Sequence, residues 1–335
     1  MKRFSISILG IISIVLLSLF VSGCNSKATR YIHLQGNAQG TTYSIKYEDV
    51  EDYTVEIDSI FKVIDASMST YKPESLISRI NKGDTTVVLD EHFIRVMELS
   101  RMVYEASGGL FDPTIGILVN AYGFGPEKVE VIDSLTLVKL LPFVGFSKVQ
   151  VVQNHLVKTY PETTLDFNAI AQGYTVDVIG EFLESKNIRN YMVEIGGEVK
   201  AIGVNPDGKL WSIGVQNPDP NAEQALETIV YLDYQSVATS GNYRKFKVDA
   251  NGKKYVHTIN PITGKGEPSN LLSATVITED CAMADAYATS LMVMGYDKSM
   301  EFLKIHPELE VFLIYVDAKG TTQTYTNIRE KTGKL

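Results

Sequence analysis

Between residues 191 and 232 four runs of β-type residues follow one another (191–195, 199–203, 210–215 and 227–232) with no helical segment between them. This crowding limits the fold more than any other feature. Strands joined in parallel need a crossover of about a dozen residues, and most of these gaps are shorter. Further strands are expected at 236–239, 243–248, 273–277 and 311–316, and earlier at 149–152 and 156–160. Residues 31–47 read as one or two strands around Gly36-Asn37 and Gly40, with Tyr43, Ile45 and Tyr47 alternating. Helical spacing marks 48–68 (Val55, Ile57, Ile60, Phe61, Ile64), 90–107 (Phe93, Val96, Leu99, Val103, Tyr104) and 170–186 (Val176, Ile179, Phe182, Leu183). Gly108-Gly109 stops the second of these. Shorter helices are expected at 75–80, 135–140 and 299–303, and a longer one at 281–294 before Gly295. Residues 110–125 read as an ordered loop with a helical piece. Helices scattered among neighbouring strands favour an α+β fold, mixed sheets with packed helices, over a strictly alternating parallel sheet.

The chain has 335 residues and a formal charge of −9. Residues 31–330 are enough for one catalytic region, as one unit or as two closely packed subdomains. The acidic balance argues against a nucleic-acid partner, which needs a basic surface. Two cysteines exclude a disulfide framework, a thiolate zinc cluster and a cysteine-ligated iron–sulfur site. The sequence has neither a G-x-G-x-x-G fingerprint nor a P-loop lysine motif, so a nucleotide ligand needs another kind of site.

The N-terminus reads Met1-Lys2-Arg3, then an apolar run over 6–19, then Val21-Ser22-Gly23-Cys24. This resembles a bacterial lipoprotein signal peptide (1–23) with its lipobox. Lipid is then expected on Cys24, and residues 24–30 form a polar tether. An uncleaved membrane anchor is the alternative, but the run is short of the roughly 20 residues a span needs. The expected location is the bacterial cell envelope, lipid-anchored on the periplasmic face of the inner membrane, with the lipid bilayer as a partner.

Four segments can carry chemistry. In Asp285-Ala286-Tyr287-Ala288-Thr289, Asp285 and Thr289 share one helix face and both offer oxygen, the donor a hard cation such as Mg²⁺ takes. The plainer reading is an exposed Asp and an ordinary helix hydroxyl. In Leu165-Asp166-Phe167-Asn168-Ala169-Ile170-Ala171-Gln172-Gly173, Asp166 either caps the following helix or orients a ligand. Exposed carbonyls before that helix are plausible metal ligands. Thr239-Ser240-Gly241-Asn242, with His257 through Gly264 downstream, offers hydroxyls and backbone N–H groups for close approach of a ligand. His257 is either a phosphate contact, a proton carrier or structural. The remaining histidines show no zinc spacing. Finally, Ser107 through Thr114, continuing to Gly125, can line a flat ring pocket or bury Phe111 and Phe124 behind a helix stop. Tyr71 can stack on a ring or belong to the core.

As an ordered set these segments resemble the ApbE family, the FAD:protein FMN transferases. The set is Gly40-Thr41-Thr42-Tyr43, Met68-Ser69-Thr70-Tyr71, Gly108-Gly109-Leu110-Phe111-Asp112-Pro113-Thr114, Asp166 through Gly173, Ile195-Gly196-Gly197-Glu198, Thr239-Ser240-Gly241, His257 through Gly264, and Ala284 through Thr289. The resemblance implies transfer of FMN from FAD, the substrate, to a Thr or Ser hydroxyl of an acceptor flavoprotein, with release of AMP. It implies Mg²⁺ held by Asp285, Thr289 and the carbonyl of Ala169, with backbone around Ala288. It implies FAD contacts at Gln39, Tyr71, Leu110, Phe111, Asp112, Asp166, Gln172, Thr239, Ser240, Gly241 and His257, and Asp285 and His257 as catalytic candidates. The implied acceptor is a flavin subunit of a respiratory redox pump.

Three positions depart from the family pattern. Gln39 stands where Met is common, Gln172 where Lys is common, and Asn260 where Asp is common. Loss of the lysine charge points to altered FAD affinity rather than inactivity. Two other functions fit the same residues: a Mg²⁺-dependent FAD pyrophosphatase giving FMN and AMP, and a non-catalytic flavin-binding lipoprotein.

Overall fold

The computed structural model describes residues 30–126, 134–217, 226–242, 246–248, 254–266 and 268–329. The leader, Cys24, most of the tether and the first residues of the strand expected at 243–248 lie outside them.

The centre is an eight-stranded sheet in the order β1-β2-β5-β6-β9-β12-β13-β14. Its strands are β1 (Arg30–Ala38), β2 (Thr41–Asp49), β5 (Tyr191–Ile195), β6 (Glu198–Ile202), β9 (Gln235–Gly241), β12 (Leu271–Thr278), β13 (Glu310–Val316) and β14 (Thr322–Thr326). Every neighbouring pair is antiparallel. Three two-stranded ribbons accompany it: β3 (Val149–Val152) with β4 (His155–Lys158), β7 (Trp211–Gln216) with β8 (Leu226–Leu232), and β10 (Phe246–Val248) with β11 (Lys254–Val256).

The two-residue period of the strands sorts the core onto two faces. On β12 and β13, Ala274, Val276, Val311 and Leu313 face the helices. Ile277, Phe312 and Ile314 face the other way, against Trp211, Val215, Val230 and Leu232 of the β7–β8 ribbon. The helical face is covered by α1 (Thr54–Met68), α3 (Glu91–Ala106), α6 (Ala171–Ser185) and α7 (Cys281–Ile305). Short helices α2 (Leu76–Asn81), α4 (Gly116–Ala121) and α5 (Ser134–Leu140) lie in the connections. Fully buried Ile45, Ile57, Val193 and Ile179 join α1 and α6 to the sheet, each side chain contributing about 1.5–3 kcal/mol.

The α+β expectation is met, with corrections to its parts. Helix α1 starts at Thr54, not residue 48, because β2 continues pairing to Asp49 opposite Arg30. Gly36 is inside β1 rather than in a turn. It faces Tyr43, whose ring would lie 2.8 Å from a Cβ there. The reversal is at Gln39-Gly40, with φ of 51° and 75°. Helix α7 is two helices joined across Gly295, whose φ of 73° and ψ of 173° are not helical, so the first of them ends before Gly295 as expected.

Candidate functional site

The site is organised by the start of α6. Asp166 begins the approach: its Oδ1 accepts from the Asn168 N–H at 2.7 Å and its Oδ2 from the Asn168 side chain at 3.1 Å. The Asp166 N–H donates to the carbonyl of Pro113 at 2.8 Å, which ties this turn to the segment after α3. Burial raises the Asp166 carboxyl above its usual range, against the lowering effect of both Asn168 donors. Tyr71 stands near enough for the Asp166 charge to raise its phenol, after burial as the larger cause. The residue is 61% exposed, so its ring is open for stacking rather than part of the core.

Inside α6 the N–H of Gly173 donates to Asp285 Oδ2 at 3.3 Å. In a regular helix that N–H would turn to the carbonyl of Ala169, four residues back. The Asp285 contact therefore leaves the Ala169 carbonyl without that donor. A Cβ at Gly173 would lie 2.4 Å from the Cys281 carbonyl, so only glycine lets α6 and α7 approach this closely. Asp285 is buried, not the exposed acid of the plainer reading, at 6% exposure. Burial pushes its carboxyl up to about 7, with the Gly173 N–H opposing. Its other oxygen has no hydrogen-bond donor among the described residues.

One turn along α7, Thr289 Oγ1 lies 3.2 Å from Ser240 Oγ on β9. The alternation of β9 puts Ser240 on the helical face and Thr239 on the opposite one. Thr239 is exposed and its hydroxyl pairs with Thr275 Oγ1 at 2.8 Å. The strand period thus separates Thr239 from the oxygen group around Asp285. Gly241 shares the Thr239 side, opposite Ser273 in the register. Ala288 is wholly buried within helical backbone, where carbonyls are directed to the next turn, so Ala169 is the freer backbone ligand.

Three turns meet beside this group. Gln172 Nε2 lies 3.5 Å from the carbonyl of Gln39, and Gln39 Nε2 donates to Thr175 Oγ1 at 2.8 Å. Gln39 Oε1 is buried with no partner. Gly196, at φ of 67°, closes the β5–β6 turn; a Cβ there would meet Thr41 at 2.9 Å and Gln172 Nε2 at 3.3 Å. A shallow, open and polar cleft of about 590 Å³ lies along 37–42 and Asp65.

At 107–125 the structure takes the packed alternative for Phe111. The Phe111 ring is 4% exposed and belongs to the main core. Both Asp112 oxygens are used within the fold: Oδ1 accepts from the Thr114 hydroxyl at 2.6 Å and N–H at 2.8 Å, Oδ2 from the Phe146 N–H at 3.0 Å. Those side chains hold the segment's shape, leaving half-buried Leu110 and the backbone to meet a ligand. His257 packs edge-on against Phe124 at 6.3 Å between ring centroids. Its loop is fastened to α4 through Tyr122, whose hydroxyl donates to the Gly264 carbonyl at 2.9 Å. A smaller cleft of about 230 Å³ lies between Thr258, Asn260, Thr263, Lys265 and α7 residues Met292 and Val293.

Sequence reasoning missed one pair at the site, Asp177 and Lys200. Asp177 Oδ1 accepts from Lys200 Nζ and from the Cys281 N–H, each at 2.9 Å, and Oδ2 from the Ala282 N–H at 2.9 Å. A signal for it existed: Gly173, Asp177 and Gly180 recur on one face of α6, a stripe too small and too polar for an ordinary core.

Among the described residues no three His, Cys, Asp or Glu gather as a metal cluster. Any cation here would take a mixed oxygen set: one carboxylate, one hydroxyl, one carbonyl. The half-partnered buried carboxylate of Asp285 fits such a role, since a cation beside it would offset its desolvation.

Fold and site together define an α+β protein with a buried oxygen-donor group beside an open polar cleft. The sequence model of the ApbE family matches residues 39–313. A FAD:protein FMN transferase of Haemophilus influenzae is 36% identical over 321 residues, covering 91% of this chain and 92% of that protein. One of Vibrio cholerae is 35% identical over 294 residues, covering 84% and 86%. In structure, the flavin transferase ApbE from Vibrio cholerae matches with a TM-score of 0.80 at 33% identity, over 89% of this chain and 97% of that one. The ApbE protein of Thermotoga maritima matches with a TM-score of 0.77 at 26% identity, over 88% and 96%. The chain belongs to the ApbE family.

Proposed function

We propose that this chain is a Mg²⁺-dependent transferase that moves the FMN part of FAD onto a Ser or Thr hydroxyl of an acceptor flavoprotein. The observation that carries the metal part of this reading is the Asp285 carboxylate, buried, fixed by the Gly173 N–H and one helical turn from Thr289. Asp285, Thr289 and the Ala169 carbonyl would hold the ion. When bound, Mg²⁺ supplies charge neutralisation on the pyrophosphate and on departing AMP.

The chain's own groups do the rest. Tyr71 presents an open ring face for stacking, and the Gln39–Gln172 corner presents amide groups in place of a lysine charge. Bringing the acceptor hydroxyl in line with the FMN-side phosphorus supplies much of the acceleration. The hydroxyl oxygen forms the new P–O bond, the P–O bond to AMP breaks, and the hydroxyl proton departs. Asp285 and His257 are the candidates to receive it. The lipobox at Cys24 supports anchoring in the cell envelope, on the periplasmic face of the inner membrane. The family's acceptors support a flavin subunit of a respiratory redox pump as the partner.

The test is intact-mass measurement of an acceptor domain after incubation with the protein, FAD and Mg²⁺. A gain of about 438 Da, FMN less water, is the expected result of condensation at the hydroxyl. Free FMN and AMP without an adduct on a verified acceptor would replace the transferase with a pyrophosphatase. FAD bound but intact would leave a flavin-binding protein.

A further inference from the structure

We propose that Asp177 and Lys200 are positioning residues for the turn of α7 that carries Asp285 and Thr289; the inference rests on the metal reading above.

Helix α7 starts without help from its own flanking residue. Asp280 precedes it but makes no side-chain cap, and the first N–H groups would be left over. Asp177 of α6 takes two of them, Cys281 and Ala282, with one oxygen each. An acidic group there also suits the positive end of the helix dipole. Asp285 is one turn further on, so the cap fixes the turn from which its carboxylate projects.

The same helix grips α7 a second time, through the Gly173 N–H on Asp285 itself. Gly173 and Asp177 are four residues apart on one face of α6. Two contacts at that spacing define the rotation of α7 as well as its distance, which one contact alone does not.

Lys200 holds Asp177 in turn. It comes from β6, in the middle of the sheet, and its ammonium is 2.9 Å from Asp177 Oδ1. Gly180 makes room for it: a Cβ there would lie 3.2 Å from the lysine Cδ. Both side chains are largely buried, at 12% and 5% exposure. Burial raises the Asp177 carboxyl, while Lys200 and the two N–H groups oppose. A buried charge with three donors has one geometry to adopt, and removing one partner leaves the other uncompensated. The series sheet, Lys200, Asp177, α7 start, Asp285 thus ties the donor turn to the middle of the central sheet. Groups that orient ligands from behind typically change metal affinity by about 10–100-fold when removed.

The experiment uses the full chain loaded with FAD and no acceptor. Free Mn²⁺ is followed by electron paramagnetic resonance as Mn²⁺ is titrated in. Thermal melting and the Mg²⁺ dependence of FMN transfer are measured on the same variants. Asp177→Asn turns an amide N–H₂ toward either a backbone N–H or the Lys200 ammonium. We expect its Mn²⁺ affinity to fall about tenfold or more. Half-saturation by Mg²⁺ should rise by a similar factor, with the rate at saturating Mg²⁺ largely kept. Lys200→Met should move affinity in the same direction and Lys200→Arg should restore most of it. If Asp177→Asn does not fold, the two Lys200 variants make the same comparison from the sheet side.

Metal affinity and Mg²⁺ half-saturation within about twofold of the parent, with only the melting temperature lowered, would overturn the inference. That outcome would mean a stability role alone. Asp285→Ala separates the two readings. If it binds Mn²⁺ like the parent, the metal reading itself fails. If it loses Mn²⁺ while the Asp177 and Lys200 variants do not, only the positioning role fails.

Discussion

Gln172 Nε2 lies 3.5 Å from the backbone carbonyl of Gln39, so two of the positions at which this chain departs from its family's pattern meet in space. The pair sits where the β1–β2 turn, the β5–β6 turn and the start of α6 come together. Gln39 in turn donates to Thr175, which donates to the Ala171 carbonyl at 2.7 Å. A lysine at 172 would bring a full positive charge into a corner of amides and hydroxyls in which the Glu198 carboxylate also stands.

Gln172→Lys should therefore tighten FAD binding and make it salt-sensitive. A partly exposed charge contact is worth up to about 1 kcal/mol, or roughly fivefold in Kd at low salt. Fluorescence titration of FAD at two ionic strengths checks this. An unchanged salt dependence would show that residue 172 does not sense the phosphates.

Gly173→Ala tests the contact between α6 and α7. The new methyl would lie 2.4 Å from the Cys281 carbonyl oxygen, which is backbone and cannot swing aside. The helices must separate, at a cost of about 1–3 kcal/mol in urea unfolding. Because the same separation moves the Gly173 N–H away from Asp285, FMN transfer should fall in the fraction that remains folded. Wild-type stability would mean that the approach is looser than described.

Asp285→Asn keeps the shape of the side chain and removes its charge. Burying an unpaired carboxylate is unfavourable, so the metal-free variant should melt at or above the parent. Mg²⁺ added with FAD should raise the melting temperature of the parent and leave the variant unmoved. Transfer should drop by a factor of about 100 or more, as for loss of a group that steadies charge at the reacting centre. A variant that is still stabilised by Mg²⁺ places the ion elsewhere.

Ser240→Ala should be milder than Thr289→Val. Ser240 touches the Thr289 hydroxyl from the neighbouring strand, and removing it costs one neutral hydrogen bond, about 0.5–1.5 kcal/mol. Less than a tenfold change in Mg²⁺ half-saturation is expected for the serine variant and a larger one for Thr289→Val. The reverse order would make Ser240 the direct ligand.

Asp84 gives a pH signature away from the site. The Thr86 hydroxyl at 2.6 Å, then Arg79 at 2.6 and 3.0 Å and the Thr86 N–H at 2.9 Å, hold its carboxyl down to about 2. The folded value is below the unfolded one of about 3.9, so the contact contributes stability above that pH. The contribution is lost as pH falls through 2. Carbon-13 NMR of the carboxyl should show a midpoint near 2, and a midpoint near 4 would mean that the turn is open in solution.

Where a local rule governed, the sequence was readable. The helix expected from residue 90 starts there, with Asp90 accepting from the Phe93 N–H at 2.8 Å as its N-cap, and 191–195 form β5 with the expected limits. The apolar stripe at 170–186 became α6 with small shifts at its ends. Strand β14 escaped because Thr-Gln-Thr-Tyr-Thr at a sheet edge has no buried side to create an alternating pattern. At the site, the four-residue spacing of Asp285 and Thr289 was visible, and Ser240 was among the candidates. Its nearness to Thr289, and the opposite orientation of Thr239, depend on the register of β9 against β12. The small, polar stripe of α6 marked Asp177, but that Lys200 is its partner depends on how β6 packs under the helix, which neither segment shows alone. From composition alone the 107–125 segment could be a ring pocket or a packed turn, because a glycine-rich turn and a tightly packed one have the same composition.

The antiparallel order of the sheet also has a consequence for how the protein is made. Gln39 comes early in synthesis, Gln172 midway, and Ser240, Asp285 and Thr289 late, while β9 closes on β12 only after the last of these strands exists. A nascent or truncated chain lacking α7 has neither Asp285 nor Thr289. Pairings between such distant segments form slowly. The proposed metal site, whose Asp285 and Thr289 lie in the last sixth of the sequence, would therefore be completed only when nearly the whole chain has folded.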